Sequence, residues 1–110
     1  MNTLNFSHNW NNKLAPEQEI FTTIRKYTED KYMYYKGLLK QSLLLGLNNH
    51  PKGVGKLLKI RVNSLAELPD ELLMLDTGTE TREDAEKVFK QFGIDPQDQV
   101  LLLMLKKLKA

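Results

Sequence analysis

The sequence predicts one α+β domain, rich in β-structure: a compact barrel of about five strands with about three short helices packed at its ends. Three observations predict it. The chain has 110 residues, with no internal repeat and no linker, so residues 1–110 read as a single domain. Runs of β-branched and aliphatic residues, separated by turn-forming residues, outnumber segments with helical periodicity. The few helical segments do not alternate with the strands, which excludes a series of βαβ units.

Thr3-Leu4-Asn5-Phe6 opens the chain as a short strand, with Leu4 and Phe6 on one face. Ser7 is placed to cap a short helix carrying Trp10 and Leu14, which Pro16 closes. Glu19–Lys26, reading EIFTTIRK, has strand composition. Lys26–Lys36 reads as a polar connection holding Tyr27, Tyr32, Tyr34 and Tyr35, ended by Gly37; at least two of these tyrosines are expected in the core. A hairpin follows over Leu38–Val62, turning in the Asn48–Gly53 stretch, with Leu58, Ile60 and Val62 on one face and Lys59 and Arg61 on the other.

Leu68–Leu73 reads as one or two helical turns with Pro69 at the start, and Asp76–Thr79 as a turn. Ala85, Val88, Phe89 and Phe92 repeat at helical spacing, after a capping sequence at Thr81 and before a stop at Gly93, which predicts a helix over Arg82–Phe92. A turn at Asp95–Asp98 leads to Val100–Leu105, apolar on both faces as a strand covered on both sides would be. Lys106–Lys109 reads as a solvated tail.

Composition excludes several classes. The chain contains no Cys, so neither a disulfide framework nor a thiolate metal site is expected. His8 and His50 stand apart, outside any metal-ligand spacing, and no metal or cofactor is expected. No apolar run approaches the ~20 residues of a membrane span, and the N-terminus lacks a secretory pattern, so the expectation is a cytoplasmic protein with no membrane partner. Charge is unevenly distributed: ten basic and four acidic residues up to Asn63 give +6, whereas six basic and ten acidic residues after it give −4. That field attracts polyanions to the first half.

Two stretches carry candidate chemistry. Thr23 and Arg25 share a strand face about 6.6 Å apart, and a hydroxyl beside a guanidinium suits a phosphate or a base edge. The competing structural role for Arg25 is an ion pair with Asp76 or Glu71. In the second stretch, tyrosines alternate with Lys26, Lys31 and Lys36, a composition that binds single-stranded nucleic acid by stacking bases on aromatics; Tyr34 or Tyr35 is the expected platform, with Lys26 and Lys36 supplying positive potential. Asp76-Thr77-Gly78 has the aspartic-protease tripeptide but not the strand context that chemistry needs.

Taken in order, Leu4-Asn5-Phe6, Trp10, Thr22-Thr23-Ile24-Arg25, Tyr34-Tyr35-Lys36-Gly37, Gly55-Lys56-Leu57 and the helix running from Val88 into the last strand resemble the ASCH domain family of the PUA-like superfamily. The resemblance spans nearly the whole chain. It implies a small PUA-like β-barrel with a cleft beside its helices, RNA as the partner class and, in one bacterial branch, amide hydrolysis of acetylated cytidine; it also implies a bacterial or phage source. The family pattern Gly-x-Lys-x-x-(Glu or Thr)-x-Arg places Thr23 and Arg25 on the last two positions, with Gln18 in place of Gly and Ile20 in place of Lys. An isoleucine can neither donate a hydrogen bond nor take up a proton, so the expectation is an RNA- or nucleotide-binding module rather than an enzyme. Thr23 and Asp76 are the candidate catalytic pair for the hydrolase alternative.

Overall fold

A computed structural model describes residues 2–6 and 19–108. The expected helix around Trp10 and Leu14, with Ser7, His8 and Pro16, lies outside the described residues. The elements run β1 (Thr3–Phe6), β2 (Ile20–Lys26), α1 (Glu29–Gly37), β3 (Ser42–Leu47), β4 (His50–Ser64), α2 (Asp70–Thr77), α3 (Arg82–Gln91) and β5 (Gln99–Leu108), with a 3-10 turn at Leu65–Glu67 between β4 and α2. The strands form one mixed sheet in the order β1-β3-β4-β5-β2, antiparallel except for the parallel β1–β3 pair.

The sheet is not closed into a barrel, because its edge strands β1 and β2 share no backbone ladder. Side chains draw these edges together instead. The rings of Phe6 and Phe21 lie 6.0 Å apart, and the Arg25 guanidinium sits 4.8 Å above the Phe6 ring. The inner face of this curled sheet is filled by Leu4, Leu43, Leu45, Leu57, Leu101, Leu103 and Leu105, each at most 1% exposed. Nor do the helices simply cap the ends. α1 covers the inner cluster through Tyr35 and Leu38, whereas α2 and α3 pack on the outer face, where Leu73, Ala85 and Phe89 meet Ile24 and Val100.

The Tyr-rich stretch is thus a helix, not an irregular connection. Thr28 caps it by accepting from the Lys31 amide at 3.1 Å, Glu29 and Asp30 occupy its first turn, and Lys36 occupies its last. That charge order suits the helix dipole. Its buried stripe is made of tyrosines, which blur helical periodicity. Tyr35 is buried, and Tyr27 and Tyr32 pack against the inner cluster, as expected for at least two of the four.

β3 begins at Ser42 rather than Leu38, since Leu38 ends α1 and Lys40 takes a left-handed φ of 66°. The hairpin then turns within two residues, Asn48 and Asn49, at φ of 49° and 66°. Asn tolerates that region, and a two-residue turn of this kind matches strand twist. The remaining turn-rich residues, His50–Gly53, are already strand. α2 starts after Pro69 and runs through Asp76 and Thr77, so the expected Asp76–Thr79 turn begins only at Gly78, whose φ of 70° ends the helix. α3 matches its predicted span, with Thr81 accepting from the Asp84 amide at 3.1 Å. β5 continues to Leu108, absorbing most of the expected tail: Lys106 pairs with both Ile20 and Lys56.

Candidate functional site

Alternation along β2 separates its residues into two sets. Phe21, Thr23 and Arg25 face inward, whereas Thr22, Ile24 and Lys26 face the helical side. Thr23 is 4% exposed, and its hydroxyl makes no hydrogen bond among the described residues. Arg25, two residues on, is partly buried and donates one hydrogen bond, from its Nη2 to the Asn5 carbonyl at 3.0 Å. A guanidinium carries five N–H donors. The others find no acceptor among the described residues.

Burial pushes the Arg25 pKa down, and the nearby Tyr35 phenol and Asp76 carboxylate pull it back up. The guanidinium still stays charged, because arginine titrates far above any working pH. Asp76 is 4% exposed and stands in the last turn of α2, which packs against β2. A carboxylate at that end of a helix is disfavoured by the dipole. Asp76 acts on the Arg25 charge at a distance, with no Arg25–Asp76 ion pair among the described residues. The structural role considered for Arg25 is therefore replaced by a bond to a strand carbonyl.

The structure brings Tyr35 and Asp76 within electrostatic range of Arg25, whose strand face also carries Thr23. It does not gather the others. Tyr34 is exposed, reaches Asn2 Oδ1 through its hydroxyl at 3.3 Å, and touches the cluster only through an edge contact with Tyr35, their centroids 5.3 Å apart. Lys36 lies 5.7 Å from the Tyr32 ring centroid. Lys26 is exposed on the other face, its Nζ 3.6 Å from the position a Cβ would take on Gly93, just past the negative end of the α3 dipole. Lys26 thus stands apart from Arg25. The Asn5 carbonyl left no trace in the sequence, because any residue type supplies a backbone oxygen.

Thr77 donates to the Leu73 carbonyl at 2.8 Å and bonds Thr79 at 2.8 Å, so Asp76-Thr77-Gly78 is a helix terminus and not a protease loop. Ile20 is 55% exposed and by alternation faces away from Thr23. No group of three His, Asp or Glu among the described residues is placed to hold a metal ion. No helix among them is long and apolar enough to cross a membrane. No family model, no curated protein and no solved structure matches the chain.

Proposed function

We propose that the chain is an RNA- or nucleotide-binding module of the PUA-like, ASCH type, its sheet a barrel closed on one side by side chains rather than by a ladder. The observation that carries the reading is Arg25: a partly buried guanidinium with one backbone acceptor among the described residues and its other donors uncommitted to them. Such a group is desolvated at a cost and gains most from an oxyanion that accepts two parallel hydrogen bonds. The inward Thr23 hydroxyl adds a donor or acceptor beside it, and the exposed Tyr34 ring, at the edge of buried Tyr35, offers the aromatic surface. Tyr34, Lys26 and Lys36 belong to this reading only as a periphery.

The test is fluorescence anisotropy with labelled single-stranded RNA, and competition by uridine monophosphate, at low and physiological salt. Binding should weaken with salt, and Arg25→Met should lower affinity about tenfold or more, the effect of one lost bidentate contact. Absence of binding to RNA and to the mononucleotide at low salt contradicts the reading.

Buried Thr23, on the strand face of Arg25, and buried Asp76, within electrostatic range of Arg25, favour a second reading, amide hydrolysis of an acylated nucleoside with Thr23 as the hydroxyl and Asp76 as the acid. N4-acetylcytidine turnover that disappears in Thr23→Val supports it, and absence of turnover rejects it.

A further inference from the structure

Charge in this molecule divides by secondary structure rather than by chain half. None of the five described strands contains an Asp or Glu, whereas Arg25, Lys26, Lys56, Lys59, Arg61 and Lys106 all stand on strands. Four of these share the outer face of β4 and β5. Lys56 lies directly opposite Lys106, Lys59 opposite Met104, and Arg61 opposite Leu102. Residues directly opposite across a ladder point to the same side, and the inner side here is taken by Leu101, Leu103 and Leu105.

A β-bulge makes this arrangement. The register shifts between Leu57 and Lys59, inserting Leu58 as an extra residue. Strict alternation from Lys56 would send Lys59 and Arg61 to the opposite face. The bulge returns both to the face of Lys56 and leaves Leu57 and Ile60 packed with the core. The four cations thus occupy three successive levels along this face, about 7 Å apart: Lys56 beside Lys106, then Lys59, then Arg61. None has an ion-pair partner among the described residues, where ion pairs are confined to α2 and α3. Lys56 and Lys106 form a directly opposed like-charge pair, which a sheet does not adopt for stability.

We propose that this outer face of β4 and β5, from Lys56 and Lys106 to Arg61 beside the corner covered by α2 and α3, tracks the sugar-phosphate backbone of a single-stranded nucleic acid, as a second contact surface apart from the Arg25 seam. The inference takes its ligand class from the reading above and deepens it: the partner is a polymer several nucleotides long, not a free nucleotide. Regular cation steps along one direction match successive phosphates on an extended strand. A lone anion would need convergent donors, which this row lacks.

The test is the salt dependence of binding to labelled oligo-uridine RNA, for the full chain and for the triple variant Lys56→Gln, Lys59→Gln, Lys106→Gln. Losing three phosphate contacts should lower the slope of log affinity against log salt by about 2. Uridine monophosphate binding should be unchanged, and the melting temperature should not fall, since a repulsive pair is removed. An unchanged slope overturns the proposal, and so does a wild-type chain that sediments with phosphatidylserine vesicles but binds no RNA. Arg25→Met separates the two surfaces: it should abolish mononucleotide binding and leave the contribution of the row to the slope intact.

Discussion

Two arginines, one on each side of the sheet, are used in opposite ways. Arg82 opens α3 in the helical corner. Its Nη1 donates to the Leu68 carbonyl and to Asp70 Oδ1, both at 2.7 Å, and its Nη2 to the Leu65 and Ala66 carbonyls at 3.3 and 3.2 Å. Glu86 lies one turn along at 3.8 Å. This guanidinium makes four hydrogen bonds and ties the 3-10 turn, α2 and α3 together. Arg25 at the seam has one acceptor among the described residues, at 3.0 Å. The lesson concerns accounting for donors: a satisfied arginine is explained by the fold, whereas an under-satisfied one in a half-buried place points to a partner outside it.

The comparison makes graded predictions. Arg82→Ala should be the most damaging, costing about 3 kcal/mol in urea denaturation, since it removes several charge-assisted bonds and leaves carbonyls unpaired. Arg82→Lys should recover little of that, because an ammonium cannot reproduce the fork. Thr81→Ala and Thr28→Ala should each cost about 1 kcal/mol by removing the caps of α3 and α1, and so loosen the two regions equally. Arg25→Met should change stability by no more than about 1 kcal/mol, because the lost bond is offset by relief of a buried charge. A loss as large as that for Arg82→Ala would erase the distinction between them.

The smallest effect concerns pH. Glu67 accepts from the backbone amide and the hydroxyl of Ser64, which hold its carboxyl below its ordinary pKa. A carboxylate depressed in the folded state contributes stability that is complete above its unfolded pKa and is lost as pH falls through the folded one. Melting curves across that acid range should fall less steeply in Glu67→Gln, with the two chains parallel at neutral pH.

Much of this fold was legible because local signals agreed with it. α3 carried a cap, an apolar stripe and a glycine stop; the cap and stop are used, and of the stripe Ala85 and Phe89 are buried while Phe92 is exposed. β2 and β5 declared themselves by composition. α1 did not, because tyrosines serve both as core and as surface and its apolar stripe is short. The bulge at Leu58 was invisible, since it depends on which neighbour β4 pairs with. Charge misled in one respect: divided by chain half it hid the basic strand β5, whose lysines lie in the acidic half but pair against β4. Of the candidate site, Thr23 and Arg25 could be read from their spacing. Their distance from Lys26 and Lys36 could not, because alternation and helix position are tertiary facts.

The most direct test follows the arginine side-chain Nε–Hε resonances by NMR while uridine monophosphate is added. The account predicts that the Arg25 signal moves and saturates and that the Arg82 signal stays in place. A static Arg25 signal beside a shifting Arg82 signal, or no change in either, would contradict it.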